Sequence, residues 1–192
     1  NHQARILEFK LQNFKIPYKL SGGTSFFARS EIRDLMSYLR LLINPDDDNA
    51  LLRIINVPRR RIGPTTLEVL GRYAYERNQP LYACIPEMGM ASRLDSEAAK
   101  RLVQFHELIE SVRRELFIGE GIRAIDSLVD SINYRAWLSD QSASETIAER
   151  RWNNVLQLIE ALRKNLKSEL EEGEAELDNS DGSSIEVAIR KL

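Results

Sequence analysis

Apolar residues recur every three or four positions along most of this 192-residue chain, a spacing that places them on one face of an α-helix. The clearest stripe predicts a helix that begins near Ser30, its predicted N-cap, and ends at Asn44-Pro45. The stripe consists of Ile32, Leu35, Met36, Leu39, Leu42 and Ile43. The same spacing predicts further helices at about 80–86, 96–117, 120–132, 144–170 and 184–192. The pattern therefore predicts a mainly α fold.

Residues 1–23 have a different pattern. Helical spacing over 2–14 ends at Pro17, and alternation over 16–20 predicts a short strand before Gly22-Gly23. A single strand cannot pair its own backbone donors and acceptors. We therefore expect its partner strands to lie outside this sequence, in a longer protein.

Two helix starts flank a basic loop in the first half of the chain. Asp46-Asp47-Asp48 suits the positive N-terminal end of one helix, and Pro64 suits the first position of the next. The three aspartates could alternatively form a metal or acid–base cluster, but consecutive helical residues point about 100° apart and do not converge. Ser142 and Glu145 have the spacing of a capping box before the helix at 144–170.

The total charge of −2 does not indicate a nucleic-acid partner, but the charge is unevenly distributed. Residues 53–77 contain six arginines against two glutamates, whereas residues 164–192 contain eight acidic and four basic residues. A near-neutral chain can therefore still present a local anion-binding surface.

The sequence lacks the motifs of several enzyme classes: it has no GxxxxGK[ST], GxGxxG, HExxH, CxxC or GxSxG. The single cysteine, Cys84, excludes an internal disulfide and is interpreted as a small core residue. His106 lies among apolar neighbours and is interpreted as a packed or rim histidine rather than a catalytic one. We expect this chain to have no catalytic residue, metal or cofactor of its own. No apolar run is long enough to cross a bilayer, and we expect a cytoplasmic protein.

The loop before Pro64 is the strongest candidate for binding. Three arginines supply positive charge, a glycine allows close approach of a phosphate, and the next helix offers unpaired N–H groups at its start. The candidate DNA-binding residues are Arg59, Arg60, Arg61, Ile62, Gly63, Thr65 and Thr66. Together they predict a helix-hairpin-helix-like clamp for a duplex backbone. The alternative is a solvated turn whose arginines only maintain solubility.

Several segments of the chain, in order, resemble the superfamily 1A DNA helicases of the Rep, UvrD and PcrA family. The resemblance is dense from Asn1 to about Tyr75 and thins afterwards to Tyr134-x-x-Trp137-Leu138 and Arg151-x-x-Asn154. The segments that carry it are Asn1-His2-Gln3-Ala4-Arg5, Ile16-Pro17-Tyr18, Gly22-Gly23-Thr24-Ser25-Phe26-Phe27, Glu31-Ile32-Arg33-Asp34, Tyr38-Leu39-Arg40, Asn44-Pro45-Asp46-Asp47-Asp48 and Leu52-Arg53-Ile54-Ile55-Asn56-Val57-Pro58.

Within that family the chain is most similar to the Rep branch, through the segment at 22–27 and through Ile62-Gly63-Pro64. The loop of the UvrD and PcrA branches usually reads G-I-G, and Arg61 stands here in place of the first glycine. Thr66 matches the family's threonine at the end of the motif.

The resemblance implies a domain plan and a function. Residues 1–23 would be a helix and strand of the second RecA-like domain, 2A; residues 24–180 would be the inserted helical 2B subdomain; and residues 181–192 would begin the return to 2A. The parent protein would be an enzyme that uses ATP and Mg²⁺ to move 3′ to 5′ along single-stranded DNA and unwind duplex. The partners of this segment would be duplex DNA, without sequence preference, and the remaining helicase domains.

Two further interpretations depend on the resemblance. Gly22 and Gly23 would be a hinge about which the 2B subdomain swings, because glycines absorb large φ/ψ changes; the alternative is a simple turn after a strand. Phe26 and Phe27 are interpreted as core anchors, with stacking on single-stranded bases as the alternative.

Two functions remain open for the segment itself. It could be a weak, sequence-independent binder of duplex DNA through the basic loop. It could instead be a protein-interaction and autoregulatory helical module that has no direct contact with DNA.

Overall fold

The computed structural model describes residues 25–118 and 121–173 of the chain. Within those ranges the regular secondary structure consists of helices. In chain order they are a 3-10 helix at Phe26–Ala28 followed by α1 (Ser30–Ile43), α2 (Asp48–Ile54), α3 (Pro64–Arg77), α4 (Leu81–Cys84), α5 (Met88–Ala91), α6 (Ser96–Phe117), α7 (Gly121–Ser131), α8 (Tyr134–Asp140) and α9 (Glu145–Gly173). The prediction of a mainly α fold is confirmed. The predicted helix at 2–14, strand at 16–20 and helix at 184–192 lie outside the described residues.

Helix α1 is the centre of the fold. It packs against α2, α6 and α9, and it buries residues on more than one side. A surface helix buries one apolar stripe only, so burial of this extent marks a helix surrounded by others. The buried residues of α1 are Glu31, Ile32, Asp34, Leu35, Ser37, Tyr38, Leu39, Leu41 and Leu42. Helix α1 therefore supports both the loop between α2 and α3 and the long helix α9.

The start of α2 confirms the helix-start interpretation of the aspartates. The Asp47 side chain accepts a hydrogen bond from Ala50 N at 2.9 Å, as an N-cap does. Asp48 Oδ1 accepts from Leu81 N at 2.9 Å and joins α4 to α2. The two carboxylates thus hold different backbone amides and do not converge on one point.

Two predicted caps are displaced by one or two residues. Helix α1 begins at Ser30 itself, with Arg29 in the N-cap position. At α9 the capping residue is Ser144, whose Oγ accepts from Ile147 N at 3.4 Å. Ser142 donates instead to Leu138 O at 2.7 Å, at the end of α8, because that free carbonyl is within reach of its hydroxyl.

The sequence pattern missed α5 and α8, of four and seven residues. Both are one or two turns long, a length at which a period of 3.6 residues gives only a weak signal. Helix α9, predicted at about 144–170, extends to Gly173. None of the described helices is both long and hydrophobic enough to span a bilayer.

The interpretations of Phe26 and Cys84 as core residues and of His106 as a packing residue are confirmed, whereas Phe27 is only partly buried against the core. Phe26 is fully buried and meets Phe27 edge to face at 5.3 Å between ring centroids, which makes Phe26 a core anchor. Cys84 is fully buried as well. His106 stacks on Tyr82 at 4.8 Å, and burial lowers the pKa of His106, so the imidazole is a neutral packing group.

Candidate nucleic-acid interface

The basic loop spans residues 55–63 between α2 and α3, and Asn56 holds its shape. Asn56 Oδ1 accepts from the backbone N–H groups of Ile62 (3.1 Å) and Arg60 (3.4 Å), and its Nδ2 donates to Ile62 O at 2.5 Å. The Ile62 side chain is buried and anchors the far end of the loop in the core. One amide side chain therefore closes the loop in the way that a backbone turn would.

Arg60 points inward, into the loop. Its Nη1 lies 3.1–3.3 Å from the carbonyl oxygens of Ile54, Ile55 and Pro58, and its Nη2 donates to Tyr38 Oη at 2.7 Å. The guanidinium also lies over the ring of Phe105, 5.1 Å from its centroid. Because its donors already satisfy acceptors of the fold, Arg60 is a structural residue of the loop.

Tyr38 completes this arrangement from α1. Its hydroxyl donates to Val57 O at 2.5 Å while it accepts from Arg60. Burial raises the pKa of Tyr38 to about 12, although the adjacent Arg60 opposes that rise. The phenol is therefore neutral at physiological pH and remains able to donate to the loop.

Arg59 and Arg61 point outward and account for the free positive charge of the segment. Both are exposed, and neither side chain has a hydrogen bond or ion pair to any residue that the structure describes. The other arginines of residues 53–77 are paired within the fold: Arg53 with Asp34 (2.7 Å), Arg72 with Glu68 (3.2 Å) and Arg77 with Glu87 (3.0 Å). Arg60 has no acidic partner either, but its guanidinium is directed inward, so the exposed and unpaired positive charge of the segment lies on Arg59 and Arg61.

Arg61 has a left-handed backbone conformation, with φ 58°. The left-handed conformation is unfavourable by roughly 1–2 kcal/mol for a residue with a Cβ, whereas glycine adopts it without this penalty. This conformation is the physical reason why glycine suits the position. An arginine at this position has a strained backbone conformation and adds an exposed positive charge.

Arg101, on α6, is the residue near the loop that sequence reasoning missed. Its Nη1 lies 3.3 Å from the carbonyl oxygen of Arg61, which places a third guanidinium beside the outward pair. Its Nη2 also lies 3.7 Å from Glu97. Because Arg101 is forty positions along the chain, no local pattern could have assigned it to this loop.

The start of α3 borders the same surface. Gly63 is the N-cap and Pro64 the first residue of a 14-residue helix whose first turn contains no acidic side chain. The first intrahelical hydrogen bond runs from Leu67 N to Gly63 O (3.1 Å), so the N–H groups of Thr65 and Thr66 precede it. Thr65 is exposed and Thr66 is buried. A Cβ added at Gly63 would meet nothing within 4 Å, so the fold itself does not require glycine there.

The sequence matches a known family over nearly its whole length. A family described as the UvrD-like helicase C-terminal domain matches residues 1–180. This chain belongs to that family.

Curated relatives agree with this assignment. The proteins named ATP-dependent DNA helicase Rep from Salmonella typhimurium and from Escherichia coli are each 44% identical to the chain over 173 residues, which cover 90% of the chain and 26% of the relative. The ATP-dependent DNA helicase PcrA of Staphylococcus epidermidis is 34% identical over 146 residues, or 76% of the chain and 20% of the relative. This UvrD-like helicase domain thus spans about a quarter of the length of the Rep proteins that it matches.

In this UvrD-like helicase domain, residues that carry the family resemblance in two distant segments of the chain meet in one buried polar cluster. Glu31, 4% exposed, accepts from Asn154 Nδ2 at 2.7 Å and lies 3.4 Å from Arg151 Nε. Asn154 Oδ1 accepts in turn from Arg29 Nη1 at 2.7 Å. The cluster joins α1 to α9 beside the first described residues.

A second buried carboxylate extends that cluster to α8. Asp34 accepts from Tyr134 Oη at 3.0 Å and pairs with Arg53 at 2.7 Å. Burial raises the pKa of Asp34, with Arg53 acting in the opposite direction. In the sequence, Tyr134 and Asn154 are isolated matches to the family. In the fold, both form hydrogen bonds to carboxylates of α1 and connect that helix to α8 and α9. The candidate hinge, Gly22 and Gly23, lies outside the described residues.

Replacing Arg61 with glycine should raise the free energy of unfolding by up to about 1 kcal/mol, because the left-handed conformation costs glycine nothing. Arg61→Ala removes the same side chain but keeps the backbone cost, so it should stay closer to the wild type. Urea titrations followed by circular dichroism would compare them. A glycine variant less stable than the alanine variant would show that φ at this position carries no strain.

Proposed function

We propose that this chain is the helical accessory subdomain, 2B, with a small part of RecA-like domain 2A, of an ATP-dependent DNA helicase that moves 3′ to 5′. Membership of the UvrD-like helicase C-terminal domain family and 44% identity to proteins named Rep support this proposal. Residues 1–23 and 181–192 belong to 2A in this proposal, and residues 24–180 form 2B. The whole protein acts in the cytoplasm.

The ATP chemistry belongs to other parts of the parent protein. The sequence has no GxxxxGK[ST] loop to cradle a nucleotide. No group of three or more His, Cys, Asp or Glu side chains within 25–118 and 121–173 is arranged to hold a metal ion. In this proposal ATP and Mg²⁺ bind elsewhere in the parent protein, and the contribution of this chain is to position DNA.

The basic loop is the proposed contact with the backbone of duplex DNA, and one observation carries this proposal. Among the arginines of the basic segment, Arg59 and Arg61 alone have side chains without a partner in the part of the chain that the structure describes. Both are exposed next to the start of α3, where no side chain caps the helix. Phosphate oxygens accept from guanidinium groups and from helix N-termini without reading sequence. The open space at Gly63 would admit a phosphate close to the backbone.

The seven candidate residues divide into two roles in this proposal. Arg59, Arg61, Gly63 and Thr65 face the phosphates. Arg60, Ile62 and Thr66 hold the loop in shape, because the first is hydrogen-bonded inward and the side chains of the other two are buried.

The hinge proposal rests on the residues just beyond Gly22-Gly23. Phe26 is fully buried, and Arg29 is bonded to Asn154 on α9, so the chain becomes part of the helical core within a few residues of the glycine pair. A change of φ/ψ at the pair would then swing the core as a unit relative to 2A.

The duplex contact predicts a salt-dependent loss of binding on removal of the two outward arginines. Arg59→Ala/Arg61→Ala should reduce affinity for a fluorescein-labelled DNA hairpin, and the slope of log K against log salt concentration should become shallower by about 1.8, since each lost phosphate contact removes about 0.9. Fluorescence anisotropy titrations from low to physiological salt would measure both quantities.

The matched control is Arg72→Ala/Arg77→Ala, which removes the same charge from the same segment at positions paired with glutamates. It should leave the slope near that of the wild type. Equal slopes for the two double variants would exclude the loop as the contact. A wild-type chain that binds no hairpin at low salt would favour the protein-interaction function instead.

A further inference from the structure

Helix α9 presents an exposed stripe that the core does not use. Acidic residues flank two apolar side chains at helical spacing: Glu145, Glu149, Trp152, Leu156 and Glu160. Leu156 is 45% exposed, and Trp152 is partly exposed. From Glu145 to Glu160 the stripe is about 22 Å long at 1.5 Å per residue. Exposed apolar residues aligned in this way mark a contact surface more often than scattered ones do.

The stripe forms the floor of two neighbouring grooves that share Trp152. The groove between α7 and α9 has a volume of about 730 Å³ and is walled by Asp126, Val129 and Asp130. The groove between α8 and α9 has a volume of about 310 Å³ and is walled by Asn133, Arg135 and Ser139. We call this surface the Trp152 groove. Its length and apolar centre match the dimensions of a docked α-helix.

The charge around the Trp152 groove is negative. The charged groups that line it from α7, α8 and α9 are Asp126, Asp130, Arg135, Glu145, Glu149, Glu160 and Arg163. Both arginines are engaged: Arg163 lies 2.5 Å from Asp126 and 3.9 Å from Glu160, and Arg135 lies over the ring of Trp152, 5.7 Å from its centroid. Five carboxylates against two arginines repel a polyanion such as DNA and attract a cation.

We propose that the Trp152 groove binds a basic amphipathic α-helix of another protein. Apolar residues four positions apart on that helix would cover Trp152 and Leu156, while lysines or arginines at either end would meet Glu145, Glu149, Asp130 and Glu160. Arg135 over the indole shows the geometry in which a cation contacts this ring. The groove is formed by residues separate from the basic loop, so this proposal stands independently of the duplex contact.

The test uses a labelled synthetic helix of about 18 residues, long enough to cover the stripe, made of leucine, alanine and lysine with leucines at helical spacing. Its matched control has glutamate in place of every lysine. The chain should bind the lysine peptide, with a change in tryptophan fluorescence that Trp152→Phe removes, and should not bind the glutamate peptide. Trp152→Ala/Leu156→Ala should weaken binding at least tenfold, as loss of two central apolar anchors does.

Charge-reversal variants test whether the acidic residues of the Trp152 groove, rather than the total negative charge of the chain, attract the lysine peptide. Asp130→Lys/Glu149→Lys should weaken the lysine peptide by about tenfold, whereas Glu68→Lys/Glu107→Lys, with the same change in total charge at exposed positions elsewhere, should change affinity by no more than about threefold. Arg59→Ala/Arg61→Ala should bind the peptide as the wild type does.

Three results would overturn the proposal. The first is equal weakening by the two charge-reversal variants. The second is a dimer of the chain, detected by sedimentation and dissociated by Trp152→Ala/Leu156→Ala, which would assign the groove to a second copy. The third is failure of the full-length helicase to bind the peptide that this chain binds, which would assign the groove to the enzyme's own domains.

Discussion

Arg60→Met should lower the free energy of unfolding by about 3 kcal/mol, a large effect for a residue in a surface loop. The substitution keeps the long side chain but removes the donors to three carbonyl oxygens and to Tyr38 Oη. The carbonyl oxygens of Ile55 and Pro58 would lose their donor, and a partly buried acceptor left without a partner costs more than the bond itself contributes. The carbonyl oxygen of Ile54 would keep its bond from Val57 N at 2.9 Å, and the Tyr38 hydroxyl would keep its bond to Val57 O. Urea titration followed by circular dichroism would measure the change.

Arg60→Lys tests whether the planar guanidinium is required. An ammonium group cannot spread donors across the carbonyl oxygens of Ile54 and Pro58 and the Tyr38 hydroxyl, so lysine should recover only part of the loss. Arg59→Met is the matched control, because Arg59 is exposed and has no partner among the residues described; it should stay within about 0.5 kcal/mol of the wild type. Equal stability of the Arg60 and Arg59 variants would contradict the structural role of Arg60.

Asn154→Leu should lower the free energy of unfolding by about 3 kcal/mol. It removes the amide that donates to Glu31 and accepts from Arg29, both at 2.7 Å, and leaves a buried carboxylate with fewer donors. Asn153→Leu, one position away and exposed, makes the same chemical change and should stay within about 0.5 kcal/mol of the wild type. Thermal and urea unfolding of the two variants would measure the difference.

A double-mutant cycle separates the contact from the general cost of changing either residue. Glu31→Leu/Asn154→Leu removes both partners of the buried pair, so its loss of stability should be clearly smaller than the sum of the two single losses. Additive losses would show that Glu31 and Asn154 are not coupled, and would remove the argument that this cluster holds α1 to α9.

Helix positions followed from local information. The stripe at 96–117 and the proline at position 64 predicted the bounds of α6 and the start of α3, because periodicity and end signals act within a few residues. The aspartates before α2 were interpreted correctly for the same reason. Two short helices, α5 and α8, were missed because one or two turns carry a weak periodic signal.

The candidate site was predicted only in part. The local positive charge and the predicted helix start indicated residues 59–66 as the binding site. They predicted the same DNA-binding role for Arg59, Arg60 and Arg61. The fold separates them: Arg60 meets Tyr38 and the ring of Phe105, while its neighbours stay exposed. Adjacent loop residues have no period from which to infer which one faces inward. Arg101 and the Trp152 groove were beyond local reasoning as well, since each brings together separate helices.

The sequence alone therefore determined the helical character of the chain, the basic segment and the resemblance to a helicase family, because these are properties of neighbouring residues and of their order. Only the tertiary structure decided which charges remain free. Glu31 meets Asn154 across 123 positions, and Arg60 meets Tyr38 across 22. Such distant contacts decide whether a charged side chain is exposed to solvent or paired inside the fold. A charged group buried without a partner would strongly destabilise the folded state.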